Sequence, residues 1–569
     1  MCGIAGILGK QSNSDTILAM LEAQKHRGPD ATNVWNDDKI VLGHNRLSII
    51  DLSDEANQPM ISNCGDYRII FNGEIYNYLE LKEQLKDFYQ FKTHSDTEVL
   101  LAAYLYWGNE ALEKLNGMFS FVIWDAEKEK LFAARDRFGV KPFYYTVWEN
   151  QLYFASEIKT LFAAGIPKIK NQKVWANYFV YGTYGMPYET FWESIHQLPG
   201  GHFMEVSFAE KITKQTLHIQ KWYDFPKRIA MIDQLPEAEL KIQYESLLKD
   251  AIQLRFRADV PLGMNVSGGL DSSTLISLVH ENLPSEQSIE AFTFYTGNEN
   301  YDELPWVHEL MEKTQYPLHK VLLTQEAIPK LIEEVSYYQD EPFGGFPTLA
   351  YSLLFREARA NGIKVILDGQ GMDEAWAGYD YYHNNSNNII QGLTTSPVRP
   401  EALTDGFKHS AQKEIYDSPF DNALQNLQYR DLFYTKIPRA LRFNDRISMM
   451  HSTELREPFL DYRLVELAFA QKASTKLHNG QTKWLLRDLV REKLGDAISL
   501  APKRALQTPQ REWIAKELNG YVSEKIEQFS QFTFVNATQT TVIWQNYCKG
   551  NQDNSFFIWQ WVNSVVLDK

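Results

Sequence analysis

Up to about residue 210 the apolar positions come in short alternating runs: "KIVLGHNRLSII", "YRIIFNG", "MFSFVIWD", "KLFAARD", "QLYFAS" and "GHFMEV". Period-two alternation in β-branched and aromatic residues, broken at Gly and Asn, predicts antiparallel strands. Helical spacing interrupts it twice, at Ile17, Met20, Leu21 and Gln24, and again at Val99, Leu100, Ala103, Tyr104 and Trp107. The expectation is sheets covered by helices.

From about residue 236 the period lengthens to 3.6, with Leu240, Tyr244, Leu247, Leu248 and Ala251 on one helical face. The apolar strand "GMNV" then runs through a glycine turn into the helix "DSSTLISLVHEN", and "IKVILDGQG" repeats that grammar. Strands alternating with helices predict a parallel α/β sheet whose ligands collect at the carboxyl ends of its strands. The stretch 207–235 reads as a linker, which divides the chain into domains 1–210 and 211–569. The last third is mainly helical, with Trp513, Trp544, Trp559 and Trp561 expected in its core.

Composition narrows the class. The 569 residues exceed one ordinary core, and 44% hydrophobic with 13% aromatic residues describes a packed globular protein. With 57 basic against 73 acidic residues, a net charge of −16 and no basic stripe, no nucleic-acid partner is expected. Three scattered cysteines, Cys2, Cys64 and Cys548, without a C-x-x-C pair, speak against a disulfide framework or a zinc site. The apolar run from Ile4 to Leu8 is too short for a signal-peptide core and nothing later reaches the length of a membrane span, so a cytoplasmic protein is expected.

Two stretches carry candidate chemistry. In "NVSGGLDSSTL", Ser267, Gly268 and Gly269 lie between a strand and a helix, where backbone N–H groups and the helix dipole converge on an anion. It has no Walker lysine. At the other end, "MCGIAG" places Cys2 directly behind the initiator. Once Met1 is removed, an α-amine titrating near ~8 and a thiol sit on one residue, a nucleophile with its own base.

Ser-Gly-Gly-x-Asp-Ser resembles the PP-loop of ATP pyrophosphatases. Together with "HRGPD", "HNRLSIID", "FNGEIYN", "SDTE", "RDRFGVKPFYY", "ASEIK", "GQGMDE" and "REPFLD", it makes essentially the whole chain resemble the glutamine-hydrolysing asparagine synthetase family. The resemblance implies an α+β and α/β multidomain fold: an N-terminal Ntn-type (class II) glutaminase built as an αββα sandwich, then an α/β PP-loop ATP-pyrophosphatase domain with a helical C-terminal part. It makes Cys2 the nucleophile, sets Arg46 on the α-carboxylate of glutamine and Glu74 and Asp96 on its ammonium, and gives the oxyanion hole to the Asn72 amide and Gly73 N–H. His26 and His44 then support the pocket, since the amine supplies the base.

For the second half it implies ATP as a substrate on Ser267, Gly268, Gly269, Asp271, Ser272, Ser273, Phe294, Asp368 and Gly369, Mg²⁺ on Asp271 and Asp373, and Lys483 steadying developing charge. The implied reaction takes glutamine, ATP and aspartate through an acyl-adenylate to asparagine, AMP and pyrophosphate, with a dry passage for ammonia between the domains. A homodimer is left open.

Two departures bear on the acceptor. Where the aspartate-using pattern has a glutamate, this chain has Gln370, an amide that cannot take a proton at neutral pH. Where that pattern carries an arginine for the amino acid, Gly344, Gly345 and Phe346 offer no guanidinium. The alternative is another carboxylate, such as a sugar uronate of a surface polysaccharide converted to its carboxamide, with Phe346 stacking on the sugar face.

Overall fold

A computed structural model of the chain describes residues 2–9, 14–282, 289–383, 396–503, 508–550 and 554–568. In the N-terminal half two six-stranded antiparallel sheets lie face to face. The first runs in the order His196–Gln197, Tyr144–Trp148, Gln151–Ala155, Gly3–Leu8, Ile40–Arg46 and Ala31–Asn36. The second runs His218–Lys221, His202–Ser207, Lys130–Arg135, Gly117–Asp125, Tyr67–Ile75 and Met60–Ile61. Alternate residues of each meet in between, with Ile4, Leu42 and Phe154 packing on Ile70, Val122 and Leu131.

The opposite residues of each strand are covered by helices. Ile17 and Leu21 of the helix Ser14–Ala23 pack on Ala5, Ile7 and Val41. The helices Tyr78–Leu85 and Asp96–Trp107 pack on the outer face of the second sheet. The result is an αββα sandwich. The strand Gly3–Leu8 is buried at all of its positions, so it reads as a continuous apolar run rather than an alternation, as strands covered on both faces do.

The stretch 207–235 is not a free linker. Its strand His218–Lys221 pairs with His202–Ser207, and Phe225 of the short helix Phe225–Ile229 is buried among Tyr429, Phe469 and Leu432 of the other half.

The C-terminal half holds five parallel strands in the order Leu318–Leu322, Glu290–Tyr295, Leu262–Asn265, Val365–Leu367 and Glu454–Arg456. The helices Glu237–Arg255 and Leu270–Asn282 cover one face, and Ile328–Gln339 and Phe346–Ala360 cover the other. Trp513, Trp544, Trp559 and Trp561 lie in the core of that second layer, as expected. The strand order reverses between Leu262–Asn265 and Val365–Leu367, which opens a crevice beyond their carboxyl ends.

Buried ion pairs lock the halves together. Arg27 donates to both carboxylate oxygens of Asp445 (2.8 and 3.1 Å) and to Glu157 (2.9 Å), while Arg446 reaches Glu157 at 3.0 Å. Lys159 meets Asp340 at 3.1 Å. Removing one partner of such a pair leaves a bare buried charge, typically worth ~3–5 kcal/mol. Among the described residues no helix is long and apolar enough to cross a membrane.

Candidate functional site

Cys2 stands at the head of the strand Gly3–Leu8 and is 8% exposed. Its backbone N–H donates to Asn72 Oδ1 at 3.0 Å, its thiol faces the Leu47 carbonyl at 3.9 Å, and its own carbonyl accepts from Arg27 Nε at 3.1 Å. Cys2, Arg46, Gly73, Glu74 and Asp96 line one small cavity, so tertiary folding gathers residues spread over nearly a hundred positions. Asn72 is fully buried, yet its Nδ2 has no hydrogen-bond partner. An open, buried donor beside a thiol is what an oxyanion would take. At Gly73 an added Cβ would lie 2.1 Å from the Met118 carbonyl oxygen, so only glycine lets the two central strands approach here.

The Arg46 guanidinium is fixed by the carbonyls of Ser53 (2.6 Å) and Asp51 and by Asn57 Oδ1 (2.9 Å). Asp96 Oδ2 accepts the Ile75 N–H at 2.9 Å. Burial, with Glu454 adding to it, pushes Asp96 up to about 7. Burial, Glu454 and Asp96 push Glu74 well above the usual carboxylate range, against the pull of Arg456 at 3.6 Å. Burial also raises the Cys2 thiol. The resting pocket thus holds a protonated thiol and two carboxylates short of a cation. His44 is held at the Phe71 carbonyl (3.1 Å) and burial lowers it to about 3, which suits a supporting role.

The second site is a cavity of about 630 Å³ beyond the carboxyl ends of the parallel strands. Ser267, Gly268, Gly269, Asp271 and Ser272 line it from one loop, Phe294 from the next strand, and Asp368, Gly369, Gln370 and Asp373 from the loop after Val365–Leu367. Ser272 Oγ accepts the Ser267 N–H (2.9 Å) and donates to the Asn265 carbonyl (3.2 Å), which pins the turn. Lys483 Nζ lies 2.6 Å from Asp271 and 2.6 Å from Asp373 Oδ1, and Lys503 Nζ lies 2.5 Å from Asp373 Oδ2. Against the effect of burial, these two ammonium groups hold Asp373 far below the usual carboxylate range. Asp271 is raised by burial, with Asp373 adding and Lys483 opposing.

Lys483 adopts a left-handed backbone, φ 54°, at the start of the helix Trp484–Leu494. Such a non-glycine conformation costs on the order of 1 kcal/mol or more and persists where surroundings enforce it. Gly378 makes room for the cluster, because a Cβ there would meet Asp373 Oδ1 at 2.0 Å and Lys483 Cε at 2.4 Å.

Two expectations need correction. Ser273 does not line the cavity: it follows Ser272 by one helical residue and so turns roughly 100° away, into the interior. Phe346 offers no stacking face, since it is 1% exposed and packs on Trp513 and Trp559 at the start of its helix. Gly344 lines the cavity without a cation, but Arg439 enters the same cavity from the helix Ile437–Met449, 5.5 Å from the Tyr184 ring. Lys436 lies 4.6 Å from the Tyr379 ring, and burial, with Arg439 adding to it, lowers it to about 7. Sequence reading missed Lys436, Arg439, Lys503 and Tyr379; "TKIPRALR", with three cations at helical spacing on a chain otherwise acidic, was the available signal.

Fold and sites together define an N-terminal-nucleophile amidotransferase sandwich joined to a PP-loop α/β domain. Residues 1–222 match the glutamine amidotransferase domain family and residues 243–568 match the asparagine synthase family, so the chain belongs to the glutamine-hydrolysing asparagine synthetase family. It is 28% identical to the glutamine-hydrolysing asparagine synthetase 1 of Bacillus subtilis over 98% of this chain and 95% of that one. Asparagine synthetase 3 of the same organism is 30% identical over 88% of this chain and 85% of its own. The amidase chry2 of Gibberella zeae is 27% identical, covering 92% of each.

Proposed function

We propose that the chain is a glutamine-dependent asparagine synthetase of two catalytic units. Cys2 attacks the side-chain amide of glutamine, the Asn72 amide and Gly73 N–H take the oxyanion, and Arg46, Glu74 and Asp96 hold the amino-acid end. The α-amine that serves as base belongs to the chain without Met1, which lies outside the described residues. In the second cavity, ATP on the Ser267–Gly269 loop meets the side-chain carboxylate of aspartate, giving an acyl-adenylate and pyrophosphate, and ammonia then displaces AMP. The observation that carries this reading is the pairing, in one chain, of a cysteine pocket whose buried amide donor is open with a phosphate-loop cavity across a locked interface.

Asp271 and Asp373 converge on a single ammonium, so two hard oxygen donors are already side by side, which fits Mg²⁺ completed by phosphate oxygens and water. When bound, it would neutralise charge on the triphosphate. Lys483 and Lys503 are placed to follow that charge as it moves to pyrophosphate. Arg439 supplies, from another helix, the guanidinium missing at 344–346, within reach of an α-carboxylate in the same cavity.

The alternative acceptor, a sugar uronate, is favoured by one feature: Tyr184, Tyr379 and Phe443 give the cavity an aromatic wall beside Arg439. ATP, Mg²⁺ and glutamine supplied with either aspartate or a panel of uronic acids decide between them. Aspartate-dependent release of pyrophosphate with asparagine formation is expected; silence with aspartate and turnover with a uronate would reverse the assignment.

A further inference from the structure

A small cavity lies where the two halves meet, lined by residues that adjoin each site without belonging to either. Met118, on its amidotransferase side, is the cross-strand partner of Glu74 in the Cys2 pocket. Leu460, on its other side, packs so closely on Gly371 of the nucleotide cavity that a Cβ there would come within 2.6 Å. Two carboxylates line this space: Asp136, which accepts the N–H groups of Phe119, Phe138, Val140 and Lys141, and Glu457. Glu457 is 4% exposed, and its Oε2 has no hydrogen-bond partner. It follows Arg456, whose carbonyl accepts the Asp368 N–H at 3.0 Å, so the parallel register sets Glu457 beside Asp368 at the rim of the nucleotide crevice.

We propose that Glu457 is the general base of the amination step, doing from the strand Glu454–Arg456 what the Gln370 amide cannot do from its loop. The inference rests on the carboxylate-activating reading above. The nitrogen lone pair of ammonia bonds to the acyl carbon of the adenylate, and a proton on that nitrogen passes to the Glu457 carboxylate. The carbonyl re-forms as the bond to the phosphate oxygen breaks and AMP leaves with the electron pair; Glu457 then returns its proton to water.

The groups facing Glu457 are Asp368, Lys141, Arg255 and Glu374, with Asp136 and Arg137 on the far wall of its cavity. Burial and Asp368 push it well above the usual carboxylate range, against the pull of Lys141 and Arg255. Glu374, the neighbouring carboxylate, accepts the Tyr379 hydroxyl at 2.6 Å on one oxygen and leaves its Oε2 unpartnered, on the lysine side of the nucleotide cavity, so it is the rival that the test must separate.

The test follows three readouts in Glu457→Gln, Glu457→Asp and Glu374→Gln: glutamine hydrolysis, acceptor-dependent pyrophosphate release, and amide formed from ammonium chloride across about pH 6–9. In Glu457→Gln the loss is expected at amide formation alone, about 100-fold, with pyrophosphate still released. Hydroxylamine, a weaker base that arrives unprotonated, should restore amidation to within about tenfold. Glu457→Asp should keep partial activity with a displaced pH profile. Amide formation at the wild-type rate in Glu457→Gln, loss of pyrophosphate release along with it, or the same signature in Glu374→Gln instead would overturn the assignment. Wild-type enzyme that releases no pyrophosphate with any carboxylate would remove the underlying reading, a result separable from failure of the variant.

Discussion

The two sites of this chain carry opposite charge arrangements before any substrate arrives. Around Cys2, Glu74 and Asp96 press on one another and on Glu454, with Arg456 their nearest relief at 3.6 Å from Glu74, and both are pushed up. Around the phosphate loop the carboxylates are clamped already, Asp271 and Asp373 on Lys483 and Asp373 again on Lys503. On the proposed function the first site would take its missing cation from the substrate, whose ammonium would relieve the carboxylates. The second holds its cations on carboxylates, and on the proposed function incoming phosphate would compete for lysines already in place. On that reading selectivity would follow from this difference: an amino acid would complete one pocket and a polyanion would reorganise the other.

The sharpest way to break that separation is to disable each site in turn. Cys2→Ala should lower glutamine-dependent amide formation roughly 10⁴-fold while ammonium chloride still supports it. Lys483→Met should do the reverse, sparing glutamine hydrolysis while pyrophosphate release falls roughly 10²- to 10³-fold. If either substitution silences both partial reactions, the sites are one machine rather than two charge environments.

A smaller effect probes the open donor. Asn72→Ala removes Nδ2 from the oxyanion position, so kcat for glutamine hydrolysis should fall roughly 10²-fold or more, about 3 kcal/mol of barrier, with KM little changed. A raised KM at unchanged kcat would mean that Asn72 only holds the ground state.

What the sequence made legible is what lies close together along it. The turn at 267–272 is pinned by its own Ser272 hydroxyl, and Cys2 and Gly73 line one pocket with Asn72 bonded to Cys2, so short motifs and candidate sites coincide. Arg439 and Lys503 enter the nucleotide cavity far along the chain from Gly344 and Asp373, and only packing sets Glu457 beside Asp368 at its edge. Phe346 shows the converse error. Next to two glycines it reads as a loop aromatic free to stack, but the helix starts there and turns it into the tryptophan core. The strand Gly3–Leu8 shows no period-two alternation because both of its faces are covered.

The finest test lies in the pH response of the amidotransferase pocket. Folded, Asp96 sits at about 7, against ~3.9 for a free aspartate. Between those values the folded chain holds a proton that the unfolded chain has released. The stabilising contribution is therefore complete below about pH 4 and is lost as pH rises through about 7. Asp96→Asn keeps an acceptor for the Ile75 N–H but cannot ionise. Its Tm at about pH 8 should exceed that of the wild type by about 2 °C or more, and the gap should close towards about pH 4. Its KM for glutamine should rise, because the ammonium loses a carboxylate. In a Cys2→Ala background, which binds glutamine without turning it over, glutamine should narrow that gap at about pH 8 by stabilising the chain that keeps Asp96 more than the one that lacks it. Tm curves that coincide for the wild type and the Asp96→Asn variant would mean that the pocket is not short of positive charge, and the contrast between the two sites would reduce to one of shape.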